Sequence, residues 1–132
     1  MKARTDIEIT GWDEKPYDDL DGEKTLAHAV ITNRYSGDIE GEGRLALLAS
    51  YTSEDSASYV GQERVIGTLH GRTGSFVLRH TGIFADGVAR TWWQVVAGSG
   101  TGELAGLTGD GGYAASEGRT VPGATLSYEL SG

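Results

Sequence analysis

Apolar and polar residues alternate along most of this chain, and turn-forming residues separate the alternating stretches. A period of two is typical of strands that turn one face to a core, and many short strands separated by turns are typical of sandwiches and barrels. The pattern predicts eight strands, at residues 4–12, 24–36, 41–52, 58–70, 74–84, 88–97, 103–113 and 123–131. Because the links are short, we expect an antiparallel up-and-down meander, which loses its edges most simply by closing into a barrel.

Two hairpins in the middle of the chain predict which residues face each other. We interpret "HGRTGS" as a tight turn that sets His70 opposite Ser75. Counting outward from this turn predicts the pairs Leu69–Phe76, Gly67–Leu78, Val65–His80 and Glu63–Gly82. The stretch "ADGV" predicts a two-residue Asp-Gly hairpin. Counting outward from it predicts the pairs His80–Trp93, Leu78–Val95 and Phe76–Ala97.

Both hairpins assign the same residues to one face of the sheet. That face carries Glu63, Val65, Leu69, Phe76, Leu78, His80, Trp93 and Val95. The opposite face carries Arg64 and Arg79, so we expect it to be the outside and the first set to point inward. Further inward residues are predicted in other strands: Leu45, Leu47, Ala49, Tyr51, Leu126, Tyr128 and Leu130. The orientation of strands 24–36 and 103–113 stays open, because their two faces are nearly equal in polarity.

Composition and charge narrow the function classes. The 132 residues suit a single domain spanning 1–132 with one core. The absence of cysteine excludes disulfides and thiolate chemistry. A net charge of −8 disfavours binding to nucleic acid or to an anionic membrane. Neither a signal-peptide core nor a membrane span is evident, so the expected compartment is the cytoplasm.

Four motifs follow one another in an order that resembles a family of small bacterial proteins known only as a domain of unknown function. The motifs are "GW" near the start, "YSGDIEGEG", "YVGQERVIGTLHGRTGSFVLRHTG" and "GSGTGELAGLTGDG". The resemblance covers nearly the whole chain and implies an allene oxide cyclase-like barrel, with eight antiparallel strands around a central cavity. Related barrels include plant allene oxide cyclases and bacterial cyclases of polyketide intermediates, which act largely by shaping a bound substrate. One departure is that the closing "TVPGATLSYEL" lacks a His expected before its final strand.

Glu63 and His80 are the candidate catalytic residues. On the predicted inner face they lie near Trp93, and an acid beside an imidazole and an aromatic wall can act as a general acid–base pair. The alternative is a buried structural pair, because a carboxylate inside a barrel is costly unless it is paired or hydrated. The residues expected to bind a substrate are Trp93, Phe76, Leu78, Tyr51, Tyr128, Val65 and Val95. These side chains suit an apolar pocket, although Trp and Phe at such positions are more often plain core, and a buried tyrosine is more often simply hydrogen-bonded within the protein.

No metal site or cofactor is predicted. His70 and His80 are expected on opposite faces, so they cannot converge on zinc together with His28. An apolar strip is expected on the outer face, where Val77 and Val96 pair directly and Trp92 and Ile66 lie nearby. Such strips mark interfaces, and we therefore expect a homodimer or other small oligomer through strands four to six.

Three functions compete at this stage. The first is a cofactor-free cyclase or isomerase that holds an apolar, polyketide-like or lipid-like molecule in the lumen. The second is a lipocalin-like carrier with the same pocket and no chemistry. The third is a structural or oligomerising domain whose lumen is filled by side chains, as happens in small barrels. The sequence does not separate the first two, whereas a closed, dry lumen would favour the third.

Overall fold

The computed structural model describes residues 1–20, 24–116 and 118–131, and these residues form an all-β fold. The strands are β1 Lys2–Leu20, β2 Lys24–Gly37, β3 Ile39–Ser53, β4 Ser56–Leu69, β5 Arg72–Ala85, β6 Val88–Val95, β7 Thr101–Gly102, β8 Leu107–Ser116 and β9 Thr120–Leu130. Within this part of the chain, no helix is long and apolar enough to cross a membrane.

Eight of these strands close into an antiparallel ring. Each pairs with the strand before and after it along the chain, and β1 pairs with β9 to complete the circuit. The two-residue β7 adds only a short pairing to the start of β5. The predicted eight-stranded up-and-down closure is therefore confirmed.

The first and seventh predicted strands differ most from the observed ones. The first strand runs on to Leu20 rather than ending at residue 12, because β2 continues to pair with it as far as Lys24. The predicted strand 103–113 begins only at Leu107. Residues 103–106 form a turn instead, in which the Leu104 amide donates a hydrogen bond to the Thr101 carbonyl. Gly106 has a φ of +84°, a left-handed conformation that glycine adopts without strain.

The predicted register between β4 and β5 was also wrong. Leu69 pairs with Arg72, so the turn consists of only His70 and Gly71, both with positive φ. This two-residue turn suits the right-handed twist of the strands better than the longer loop we expected. The observed pairs are Val65–Phe76, Glu63–Leu78, Gly61–His80 and Tyr59–Gly82. Each residue of β4 pairs with a β5 residue an even number of positions away from the predicted partner. The assignment of residues to the inner and outer faces is therefore unchanged.

The second hairpin agrees with the prediction in register. His80 pairs with Trp93 and Leu78 with Val95. The turn residues Asp86 and Gly87 both have positive φ, as this hairpin type requires. The pairing does not extend to Ala97, because β6 ends at Val95.

The inward faces form a lumen with two unequal halves. The half toward the β4–β5 turn, here called the filled half, packs large side chains that include Leu69, Phe76, Leu78, Trp93 and Leu104. The half toward the β5–β6 turn, here called the cavity half, contains a smaller apolar cluster of Ala29, Ile31, Leu45 and Leu47. The predicted inward residues of β3 to β6 all lie on the lumen side of this ring.

The outer face of β4 to β6 exposes apolar side chains. Ile66 is 62% exposed and Trp92 is 54% exposed, while Val77 is half-buried. These positions match the predicted apolar strip.

The homodimer through this face stays a prediction. Light scattering after size exclusion tests it: we expect the mass of a dimer, and a monomer at micromolar concentration would contradict the prediction.

Candidate functional site

A cavity of about 310 Å³ occupies the cavity half of the lumen. This volume lies near the lower end of the range of roughly 300–1,000 Å³ that is usual for small-molecule sites. Most of its wall is apolar, formed by residues such as Ile31, Leu45, Leu47, Ala49, Ala57 and Phe84. The lumen of this small ring is therefore not filled along its whole length.

Small side chains leave this space open. Four lining positions, on four different strands, are alanine: Ala49, Ala57, Ala89 and Ala115. Inward residues in the filled half include the much larger Leu69, Phe76, Leu78 and Trp93. Alanine removes most of the volume that these larger residues supply, so the two halves differ in packing although the same strands build both.

Glu63 lies at the boundary between the two halves. Its side chain is 0% exposed, and both carboxylate oxygens accept hydrogen bonds. The Tyr35 hydroxyl donates to Oε1 at 2.6 Å, and Asn33 Nδ2 donates to Oε2 at 2.9 Å. His80 Nε2 also lies 2.9 Å from Oε1. A carboxylate can only accept, so Nε2 carries the hydrogen in this contact. A carboxylate loses its hydrogen bonds to water when it is buried. Here three protein donors replace those hydrogen bonds.

The backbone is shaped to admit this carboxylate. Gly43 lies across the β3–β4 ladder from Val65, beside Glu63, and a Cβ at this position would collide with Glu63 Oε2. Burial, and then the neighbouring Glu63 charge, raise the pKa of Tyr35 well above its usual value. Tyr35 therefore keeps its proton and remains a donor to Glu63 across the physiological range.

His80 reaches the cavity wall from the same layer. Its ring is only 2% exposed to bulk solvent, lines the cavity, and packs edge-on against Trp93 with centroids 6.1 Å apart. Trp93 also contacts Tyr35 and Tyr113, with ring centroids 6.4 and 5.7 Å away. Trp93 on one side and the hydrogen bond from Nε2 to Glu63 together fix the orientation of the imidazole.

Two buried polar atoms in this layer have no hydrogen-bond partner among the described residues. They are Asn33 Oδ1 and Trp93 Nε1. Asn33 lines the cavity together with Tyr35 and His80. These three residues form the polar floor of an otherwise apolar cavity, and we use the term "polar floor" for them below.

A second polar group lies at the opposite, outer end of the cavity. Trp12 Nε1 donates to Glu14 Oε1 at 3.0 Å, and the Tyr51 hydroxyl donates to Glu14 Oε2 at 2.6 Å. Partial burial, and then the hydrogen bond to Glu14, raise the pKa of Tyr51 to about 12. Trp12 is half-exposed, so this group forms the rim of the mouth rather than a closed plug.

Tyr59 and Tyr113 add hydroxyl groups to the cavity wall. The Tyr59 hydroxyl lies 2.6 Å from Thr91 Oγ1, and Gly82 leaves the space that its ring occupies. Burial raises the pKa of Tyr113 to about 12. Both phenols are therefore neutral hydrogen-bonding groups near neutral pH.

The sequence-predicted site residues fall into three places. His80 and Tyr51 line the cavity, whereas Glu63 and Trp93 lie directly behind its floor. Four residues expected to bind a substrate are packed in the filled half: Phe76, Leu78, Val65 and Val95. Tyr128 lies at the far end of that half, where its hydroxyl hydrogen-bonds His70 Nδ1. Contact with the cavity is thus restricted to two of the predicted residues.

Asn33 and Tyr35 are the main residues that sequence reasoning missed. Both belong to "KTLAHAVITNRY", whose inward face was left open. In the structure Ala27, Ala29 and Ile31 share the buried face with them, and His28 points outward. The alternation of Ala27, Ala29 and Ile31 was a signal for this assignment, but the second face contains Leu26 and Val30 and was nearly as apolar.

The three histidines occupy separate parts of the molecule. His28 is on the outer surface of β2, His70 is in the β4–β5 turn beside Asp38, and His80 is in the lumen. They cannot bind one metal ion together. Over the described residues, no cluster of three metal-ligating side chains is present.

Comparison with known proteins places the chain among proteins without an assigned activity. A family described as "Protein of unknown function (DUF3224)" matches residues 3–128. A crystal structure of a protein with unknown function from this family, from Shewanella oneidensis MR-1, is similar with a TM-score of 0.75 and 29% sequence identity. That similarity covers 100% of this chain and 97% of the other. No curated protein matches the chain.

Proposed function

Because the chain belongs to the DUF3224 family, whose description assigns no activity, we propose a function from the geometry of the site: the lumen binds a small apolar molecule. The observation that carries this proposal is the cavity of about 310 Å³ with apolar walls and a polar floor. Apolar enclosure with a few convergent polar groups is the usual composition of a ligand site. An open cavity also argues against a purely structural domain with a filled lumen.

The open mouth supports the same proposal. The rim formed by Trp12, Glu14 and Tyr51 combines an aromatic face with hydrogen-bonding groups. A ligand entering past this rim exchanges water for the alanine and leucine walls. Burying its apolar surface contributes roughly 25 cal/mol per Å² of area removed from water, which is the main favourable term available here.

Filling the cavity tests this proposal. Ala49 lines the cavity and Ala46 is exposed on the outer face of the same strand, so Ala49→Phe and Ala46→Phe form a matched pair. We expect Ala49→Phe to abolish binding of apolar probes in calorimetric titrations, while Ala46→Phe binds them as the unmodified protein does. Equal binding by both variants would locate the site elsewhere.

The second candidate adds chemistry to binding, and the contact between His80 and Glu63 favours it. We propose that the pair supports a cofactor-free cyclisation or isomerisation. An imidazole oriented by a carboxylate is a common arrangement for a general base. His80 would take a proton from one atom of the ligand and return it to another, so the reaction balances without a redox partner. Glu63 would act as a positioning residue, because its oxygens are already occupied by three donors.

A carrier and an enzyme differ in what they release. Native mass spectrometry identifies any compound that copurifies with the protein, and this compound is then incubated with the protein and analysed again. A carrier returns it unchanged, whereas an enzyme returns an isomer of the same mass with a different retention time. If His80→Gln stays folded and converts the compound at the full rate, the acid–base role is wrong and the binding role stands.

A further inference from the structure

The orientation of the Asn33 amide is fixed by its neighbour. Since the Glu63 carboxylate can only accept hydrogen bonds, the amide nitrogen of Asn33 must be the atom that contacts Glu63 Oε2. The amide oxygen is therefore the atom left without a partner. A buried unpaired acceptor costs about 1–3 kcal/mol, so a hydrogen-bond donor delivered through the cavity would remove a real penalty.

The charges around the cavity have one sign. Glu63 lies directly behind the polar floor, and Glu14 lies at the mouth. The lining contains neither lysine nor arginine within the described part of the chain. His80 Nε2 is already engaged by Glu63 and does not face a ligand. An anionic group in this cavity would lose its water without gaining a cation, which is strongly unfavourable.

We infer that the ligand is an uncharged molecule whose one polar end is a hydrogen-bond donor, either a hydroxyl or an N–H, bound to Asn33 Oδ1. Its apolar remainder occupies the alanine-lined wall between the floor and the mouth. This inference rests on the proposed function, because it names the ligand class of the same cavity. Neutral alcohols, phenols and amides fit it, whereas carboxylates and phosphates do not.

Three probes of nearly the same shape separate these classes. 2-Naphthol offers a donor, 2-methoxynaphthalene offers only an acceptor, and 2-naphthoate carries a negative charge. Each is titrated calorimetrically into the unmodified protein at pH 7.5. We expect 2-naphthol to bind about tenfold more tightly than 2-methoxynaphthalene, the ratio that one buried hydrogen bond supports. We expect 2-naphthoate to bind more weakly than either.

A variant assigns the preference to Asn33. Asn33→Leu keeps the approximate size of the side chain and removes the acceptor, so the tenfold preference for 2-naphthol should fall to about one. The same change also removes a donor to Glu63, and unfolding of the variant is a real outcome. In that case the comparison of the three probes on the unmodified protein tests the inferred ligand class, because that comparison needs no substitution.

The possible failures are distinguishable. If 2-methoxynaphthalene or 2-naphthoate binds the unmodified protein as tightly as 2-naphthol, and Ala49→Phe abolishes that binding, the inference is wrong while the cavity remains a ligand site. If none of the three probes binds, both the inference and the proposed function are contradicted. If 2-naphthol is preferred equally by the unmodified protein and a folded Asn33→Leu, Asn33 is not the acceptor and the inference is overturned.

Discussion

The filled half and the cavity half are built from the same strands, yet one is a core and the other is a pocket. Phe76, Leu78 and Trp93 belong to the core of the filled half, where their side chains are almost fully buried. Alanines such as Ala49 and Ala115 line the cavity half. Both halves share the alternation that produces strands. Side-chain volume, and not the strand pattern, therefore decides where this ring holds an open space.

A layer of buried polar groups separates the two halves. Glu63 accepts three hydrogen bonds there, and Asn33, Tyr35 and His80 supply them. The filled half below this layer holds the aromatic rings that position His80. The core thus has a functional consequence, since it presents one fixed polar surface to the cavity.

The largest expected effect comes from breaking this layer. Glu63→Leu leaves three buried donors without their acceptor, and we expect the free energy of unfolding to fall by about 3–5 kcal/mol. Urea denaturation measures the change. The control is Glu42→Leu on the outer surface of β3, which should stay within about 0.5 kcal/mol of the unmodified protein. A loss below about 1 kcal/mol for Glu63→Leu would mean that the layer contributes little to stability.

A smaller effect, the difference between two leucine truncations, should distinguish the two halves directly. Leu78 is fully enclosed in the filled half, while Leu47 already borders an open cavity. Leu78→Ala should cost about 3–5 kcal/mol, because it creates a new void in close-packed surroundings. Leu47→Ala should cost about 2 kcal/mol, because its side chain has fewer packing partners to lose. Equal losses in urea denaturation would contradict the difference in packing.

The smallest effect is a dependence of stability on alkaline pH. Burial raises the pKa of Tyr113 to about 12, above the value near 10 of an unfolded tyrosine. As the pH rises above 10, the unfolded chain loses this proton first. The stabilisation is therefore complete below pH 10 and is lost as the pH rises through about 12.

Urea denaturation at pH 8, 10 and 11 measures this slope. Tyr113→Phe should make the slope shallower by the contribution of one phenol, because phenylalanine has no proton to lose, while Tyr35 and Tyr51, whose pKa values are also raised, still contribute. Tyr17→Phe serves as the control, since Tyr17 is well exposed on β1. If Tyr113→Phe keeps the slope of the unmodified protein, the buried phenol is not its source.

The faces of the central strands and the register of β5 with β6 could be predicted from the sequence, but the register of β4 with β5 could not. Period-two alternation placed Glu63 and His80 inward, and both are buried. The turn after Leu69 was expected to be longer than the two residues it contains. Turn length changes which residues are paired, while an even shift leaves their faces unchanged. The prediction therefore placed Glu63 and His80 on the right face, and only the partners of β4 residues on β5 were wrong.

The position of the cavity along the ring could not be predicted from local sequence. Inward residues such as Phe76 and Tyr51 look equivalent in an alternating pattern, yet one lies in the core and the other at the mouth. The position of each residue along the axis of the ring depends on how the strands are staggered. This stagger is a property of all eight pairings together. The inward orientation of Asn33 could not be predicted either, because the two faces of its strand have similar polarity.

The central claim is that the alanine-lined half of the lumen is an open, largely apolar cavity. Xenon enters such cavities and is located directly by diffraction, as in other apolar voids. We predict that crystals of the unmodified protein under xenon pressure show xenon beside Leu47 and Ala49, and show none in the filled half around Phe76 and Leu78. A lumen without xenon, or with xenon among the filled-half side chains, would contradict the account.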